Sequence, residues 1–143
     1  MTKHILCAVD LTHPESEVRL LKKSAELAEF YGATLSVVTV IPDYGMSIVG
    51  SYFKEGTMKA AVEKANEQLH AFVDEVLPGH GQVQHIVEVG TAYEMILDAI
   101  QRSRADLVVL GAHKPNLMDK LQGPNSARVA RHAPCSVLVI RQD

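Results

Sequence analysis

Short apolar runs alternate with segments of helical period along the whole chain, and this alternation limits the fold more than any other feature. Ile5 to Val9, Leu35 to Ile41, Leu107 to Leu110 and Val137 to Ile140 read as strands, and the unbroken runs among them suit strands buried on both faces. Val83, His85, Val87 and Val89 instead alternate with Gln84 and Glu88, the mark of a half-exposed strand at a sheet edge. Between the strands, apolar residues recur at helical spacing. One set is Val18, Leu21, Ala25 and Ala28; a second is Val62, Ala65, Leu69, Phe72 and Val76; a third is Tyr93, Ile96, Leu97 and Ile100. A shorter helix bears Val129, Ala130 and Ala133. Thr12 with Glu15, and Thr91 with Glu94, have capping-box spacing, and Pro14 suits a first turn. Gly32 reads as a helix C-cap and Pro78-Gly79 as a helix stop.

Strand and helix thus alternate four times before a final strand. The pattern predicts an α/β fold: a single doubly wound five-stranded parallel sheet with helices on both faces and right-handed crossovers. With the half-exposed third strand at an edge, the order is 3-2-1-4-5, and residues 1–143 form one domain. In that order the winding reverses between strands 1 and 4, and a ligand cleft opens there. The stretch Asp43 to Gly56 holds three glycines with Met46, Ile48, Val49, Tyr52 and Phe53 between them. It reads as a loop folded onto the core, a lid over a ligand, or a loop that contacts a partner.

Composition narrows the partners. Fourteen basic and 17 acidic side chains leave a net charge of -3, which argues against broad capture of nucleic acid. No stretch approaches the ~20 apolar residues of a membrane span, and the first residues do not read as a signal peptide, so the cytoplasm is the expected setting. Cys7 and Cys135 lack CxxC spacing and read as small buried hydrophobes. The predicted order separates them by two strand spacings, roughly 9–10 Å. That exceeds the ~7 Å between Cα atoms that a disulfide permits.

The segment Asp106 to Ile140 carries the functional signal. The run Leu107–Leu110 stops at Gly111; a polar loop follows, then Gly123-Pro124-Asn125-Ser126 at a helix start. Backbone amides at a helix start beside a strand's carboxyl end favour an anion, so the segment suggests a phosphate-bearing ligand. Asp10, ending strand 1, would meet Gly111 at the same cleft. It reads either as a residue capping the helix start or as a carboxylate holding a ribose hydroxyl or a metal carried by the ligand. The seven histidines show no metal-binding spacing, and His113 alone falls in the proposed site. There is no GxxxxGK[ST], no GxGxxG after the first strand and no GxSxG. With no identifiable general base, an efficient hydrolase is not supported; at most slow turnover of the phosphate-bearing ligand fits.

An N-terminal strand ending in Asp10, the LVVLGAH segment and SARVARHAPCSVLVI together resemble the universal stress protein family over essentially the whole chain. The resemblance implies adenine-nucleotide binding, with ATP, ADP or AMP as ligand and Mg as an accompanying ion. By position, Ala8, Val9 and Asp10 would contact adenosine, and Val40 the adenine. Leu110, Gly111 and His113 would line the sugar and first phosphates, and Gly123, Pro124, Asn125 and Ser126 the outer phosphates.

The family's nucleotide motif is G-x2-G-x9-G-[ST], and this chain departs from it three times. Lys114 replaces the second glycine, adding a cation that could reach phosphate. Eight residues, not nine, separate Lys114 from Gly123. Pro124, without N–H or hydroxyl, replaces Ser or Thr. A lost hydrogen bond to a charged group costs about 1.5–3 kcal/mol, or roughly 10- to 150-fold in affinity. The resemblance also implies a homodimer through strand 5 (Val137, Leu138, Val139, Ile140), an exposed edge that invites pairing. Three readings follow: a nucleotide-binding stress-response or regulatory protein; a nucleotide-free dimeric interaction module with an unknown protein partner; and an ATP-dependent enzyme of the wider adenine-nucleotide α-hydrolase-like group.

Overall fold

The structure is a computed structural model that describes residues 2–42, 55–112 and 125–142. Its strands are β1 (His4–Ala8), β2 (Thr34–Ile41), β3 (Val83–Val89), β4 (Leu107–Ala112) and β5 (Ser136–Arg141). They form one sheet of order β3-β2-β1-β4-β5, and every neighbouring pair is parallel. The helices are α1 (Val18–Tyr31), preceded by a single 3-10 turn (Pro14–Glu17), then α2 (Glu55–Val76), α3 (Ala92–Ser103) and α4 (Asn125–His132). The expected architecture and strand order are therefore observed. Of the stretch Asp43 to Gly56, only Glu55 and Gly56 are described, and they open α2 rather than continue a loop. The lid and partner-loop readings lie outside the described residues.

The alternation of side chains along each strand divides the core into two layers. Ile5 and Cys7 of β1, Val9 just past it, Val37 of β2 and Val109 of β4 pack against Leu20, Leu21, Ala25 and Ala28 of α1 and Leu69, Phe72 and Val73 of α2. Leu6, Val38, Val108 and Leu110 face the other way, onto Ile96, Ala99 and Ile100 of α3 and Val129 of α4. Ala130, one residue further along α4, is exposed. Cys7 is fully buried, and its thiol is pushed up to about 12, chiefly by burial. Cys135 is half-buried, and both cysteines are free.

Helix ends follow the sequence in part. Gly32 closes α1 at φ 66°, a left-handed conformation natural to glycine. Neither capping box forms. Thr91 does occupy the cap position of α3, but its side chain makes no cap hydrogen bond. Thr12 turns backward instead: its N–H and hydroxyl both donate to Asp10 Oδ1, at 3.0 and 2.6 Å. In a capping box the Thr12 N–H would donate to Glu15; the Asp10 carboxylate, only two residues away, takes that donor instead.

β3 is the expected edge strand, and it carries an unusual pair. His85 stacks on His70 of α2, with ring centroids 3.6 Å apart and planes 19° from parallel. Its Nε2 is buried with no partner among the described residues. Burial, and then the neighbouring His70, hold His85 below the usual imidazole range, while Asp74 of α2 opposes them. Its neighbour in register on β2 is Val37, which offers no charge. A depressed histidine means that the folded chain binds fewer protons than the unfolded one. Stability is then fully present above the unfolded value of about 6.5 and is lost as pH falls towards the lower folded value. His85→Phe keeps the stacking surface without titrating. It is expected to flatten the pH dependence of the urea midpoint below about pH 6.5. An unchanged pH dependence would overturn the assignment.

Candidate functional site

The carboxyl ends of β1, β2 and β4 bring the sequence-predicted residues to one place. The β1–β4 ladder ends with Cys7 opposite Val109, so Val9 and Gly111 lie level, two residues beyond it. The β1–β2 ladder ends with Ala8 opposite Val38, which sets Asp10 level with Val40. Val9 N–H donates to Val38 C=O at 2.9 Å and carries the backbone pairing past the strand end. Neighbouring strands are about 4.8 Å apart, so Ala8, Val9, Asp10, Val40, Leu110 and Gly111 share one edge of the sheet. This is also the point where the chain's winding reverses.

Asp10 is exposed there. Thr12 occupies Oδ1 with two hydrogen bonds, and Oδ2 has no partner among the described residues. The carboxylate is thus oriented by its own turn, with an oxygen left over.

α4 brings the opposite wall. Only Ala133, Pro134 and Cys135 separate its end from the start of β5, so the helix runs antiparallel to the strands and begins at their carboxyl edge. Val129, fully buried, anchors it to the sheet. The guanidinium of Arg128 lies 4.1 Å from the Tyr93 ring centroid and pins α4 against α3. Asn125 and Ser126 stand in the first turn of this helix. His113, Lys114, Gly123 and Pro124 lie outside the described residues.

Sequence reasoning missed two residues of this edge. Glu17, at the junction of the 3-10 turn and α1, is only 5% exposed. Its Oε1 accepts from the Asp10 N–H at 2.8 Å, and its Oε2 accepts from the Gln142 side-chain amide. Gln142, just past β5, lies over Gly111, where an added Cβ would come 2.8 Å from Nε2. The signal for Glu17 was present in the sequence. It falls three, four, seven and eleven residues before Leu20, Leu21, Ser24 and Ala28, on the buried stripe of α1. A charge on an apolar stripe needs partners. Nothing comparable marks Gln142.

Fold and edge together define a doubly wound α/β protein with an exposed carboxylate at its topological switch point. Among the described residues no helix is long and apolar enough to cross a membrane. The family model described as Universal stress protein family matches residues 1–141, and the chain belongs to that family. It is 31% identical over 144 residues to Universal stress protein A homolog 1 of Coxiella burnetii, covering 96% of this chain and 95% of that one. Two solved structures share the fold. One is a universal stress protein in complex with cAMP, at TM-score 0.65 and 20% identity, covering 99% of this chain and 98% of its own. The other is the universal stress protein from Archaeoglobus fulgidus in complex with dAMP, at TM-score 0.64 and 18% identity, covering 98% of both.

Proposed function

We propose that this universal stress protein binds an adenine nucleotide, ATP, ADP or AMP, in the cleft between β1 and β4, and acts through nucleotide-linked conformation or association of copies. The observation that carries the reading is Asp10: an exposed carboxylate, oriented by Thr12, near the end of β4 at the switch point of the sheet. The two neighbours described with cAMP and dAMP support it. Ala8, Val9 and Val40 would meet adenosine through backbone groups, with Asp10 on the ribose. Leu110, Gly111 and His113 would line the sugar and first phosphates; Lys114, Gly123, Pro124, Asn125 and Ser126 would hold the outer ones. Among the described residues no group of three His, Cys, Asp or Glu side chains could hold a metal. An Mg ion, where the nucleotide carries one, would be held by its phosphates, and Asp10 is the exposed carboxylate of this edge that would be available to it. We assign the protein to the cytoplasm, where its two free thiols accord with a reducing compartment.

The test begins with protein purified without added nucleotide, denatured and chromatographed for released small molecules, followed by calorimetry with AMP and Mg-ATP. Asp10→Ala is expected to weaken binding about 10- to 100-fold while leaving the melting midpoint within a few degrees. Undiminished affinity in that folded variant, or a wild type that binds neither nucleotide, would overturn the reading.

The β5 edge admits a second reading, a nucleotide-free dimeric interaction module. Among the described residues β5 is bonded on one side only, by β4, and Val139 on it is 40% exposed. A homodimer through Val137, Leu138, Val139 and Ile140 belongs to both readings. Sedimentation equilibrium checks it, since a species that stays monomeric at high concentration has no such dimer.

A further inference from the structure

We propose that Gln142 is a positioning residue of the cleft, acting through Glu17 to hold the backbone of Asp10 and to tie that cleft to the β5 edge. The links are continuous. Gln142 N–H donates to Ala112 C=O at 2.9 Å, which extends the β4–β5 ladder by one residue. Its side chain then turns back across the sheet, and Nε2 donates to Glu17 Oε2. Glu17 Oε1 accepts from Asp10 N–H at 2.8 Å. A single buried carboxylate therefore joins the end of β5 to the end of β1, across the intervening end of β4.

The orientation of the amide is dictated by chemistry. A carboxylate only accepts, so the amide nitrogen must face Glu17. Gln142 Oε1 is then left buried without a partner among the described residues. Gly111 has no positive φ to explain it. What its missing side chain provides is room, because a Cβ would meet Nε2 at 2.8 Å and Cγ at 3.1 Å. The absent side chain thus makes space for the bridge. Because β5 is also the free edge of the sheet, anything that pairs with it is one residue from Gln142. Coupling of this kind is reciprocal: a ligand that stiffens Asp10 would stiffen the β5 end in turn.

The claim about coupling to a ligand rests on the nucleotide reading; the claim about Asp10 does not, and the experiment separates them. Gln142→Glu sets two carboxylates against each other, whereas Glu17→Gln alone can be met by a turn of the Gln142 amide, whose Oε1 then accepts from the new amide. The double variant Glu17→Gln with Gln142→Glu reverses donor and acceptor: the amide at 17 can donate to the carboxylate at 142 and still accept from Asp10. Amide exchange on the ligand-free protein is read by NMR, with AMP titrations beside it. Gln142→Glu is expected to speed Asp10 exchange and weaken AMP binding by about tenfold, Glu17→Gln to change either little, and the double variant to restore both.

A merely structural role would speed exchange at Leu6 and Val108 as much as at Asp10, and that uniform result would overturn the proposal. So would an Asp10 amide indifferent to Gln142→Glu. Gln142→Ala, which removes the donor without adding charge, serves if Gln142→Glu fails to fold. If the wild type binds no AMP while Asp10 exchange is lost and rescued as stated, the positioning role stands and the nucleotide reading falls.

Discussion

Leu6→Ala is expected to destabilise the protein by about 3–4 kcal/mol and to lower its melting midpoint by about 10 °C. Leu6 is fully buried in the central strand, with Ser36 of β2 and Val108 of β4 as its ladder partners. Its side chain enters the layer formed by Ile96, Ile100 and Val129. The cost of such a truncation depends on how far the surroundings can close over the hole. Here β1 is hydrogen-bonded on both sides and cannot shift towards α3 without breaking a ladder, so the cavity persists. Phe30→Ala is the contrasting control. It removes a larger side chain, but one that is 79% exposed and touches mainly the ring of Tyr31. Its cost is expected below about 1 kcal/mol. Urea unfolding of both variants checks the pair. A Leu6→Ala loss under about 1.5 kcal/mol would mean that the α3–α4 layer repacks, and that the core is softer than its burial implies.

The fold was legible because burial on two faces leaves an unmistakable pattern. Unbroken apolar residues at Ile5–Val9 and Leu107–Leu110 mark the two central strands, and alternation at Val83–Val89 marks the β3 edge; with the alternation of strands and helices these were enough to order the sheet. Helix ends were less legible, because they depend on competition between nearby donors and acceptors. Thr12 and Glu15 have the spacing of a capping box, yet the carboxylate of Asp10, two residues before Thr12, takes both donors of the threonine. α3 ends on Arg104 at φ 58°, in the left-handed region that arginine enters only at a cost. No residue preference announces that turn. It is set by the short path into β4, where the Asp106 carboxylate accepts from the Lys3 and His4 backbone N–H groups.

The site was legible where topology alone decides it. Strand order, which the sequence carries enough to infer, and the register of the ladders together put Asp10, Val40 and Gly111 at one edge. What it does not carry is contact between side chains far apart in sequence. Glu17 and Gln142 are separated by 125 positions and meet only because β5 lies two strands from β1. The glycine at 111 shows the same limit. Its place at a strand end reads as an opening for a ligand, whereas the space that its missing side chain leaves is taken from inside the protein.

Gly111→Val is therefore expected to act on the ligand-free protein and not only on its ligand. The first carbon of the new side chain would lie 2.8 Å from Gln142 Nε2, and the two methyls beyond it reach further. Gln142 must yield, since its amide ends a flexible side chain while its backbone stays bonded to Ala112. Glu17, buried and charged, then loses a donor. Losing a hydrogen bond to such a group costs about 1.5–3 kcal/mol, and crowding adds about 1–3 kcal/mol. Part of this is offset by the better strand propensity of valine, leaving an expected loss of about 3 kcal/mol. The sharper test is non-additivity. Once Gln142→Ala has removed the amide, Gly111→Val has little left to displace, and its further cost should fall to about 1 kcal/mol or less. If Gly111 instead serves only the close approach of a phosphate or sugar, Gly111→Val will abolish AMP binding while leaving apo stability and Asp10 exchange untouched. The bridge through Glu17 would then have no part in shaping the cleft.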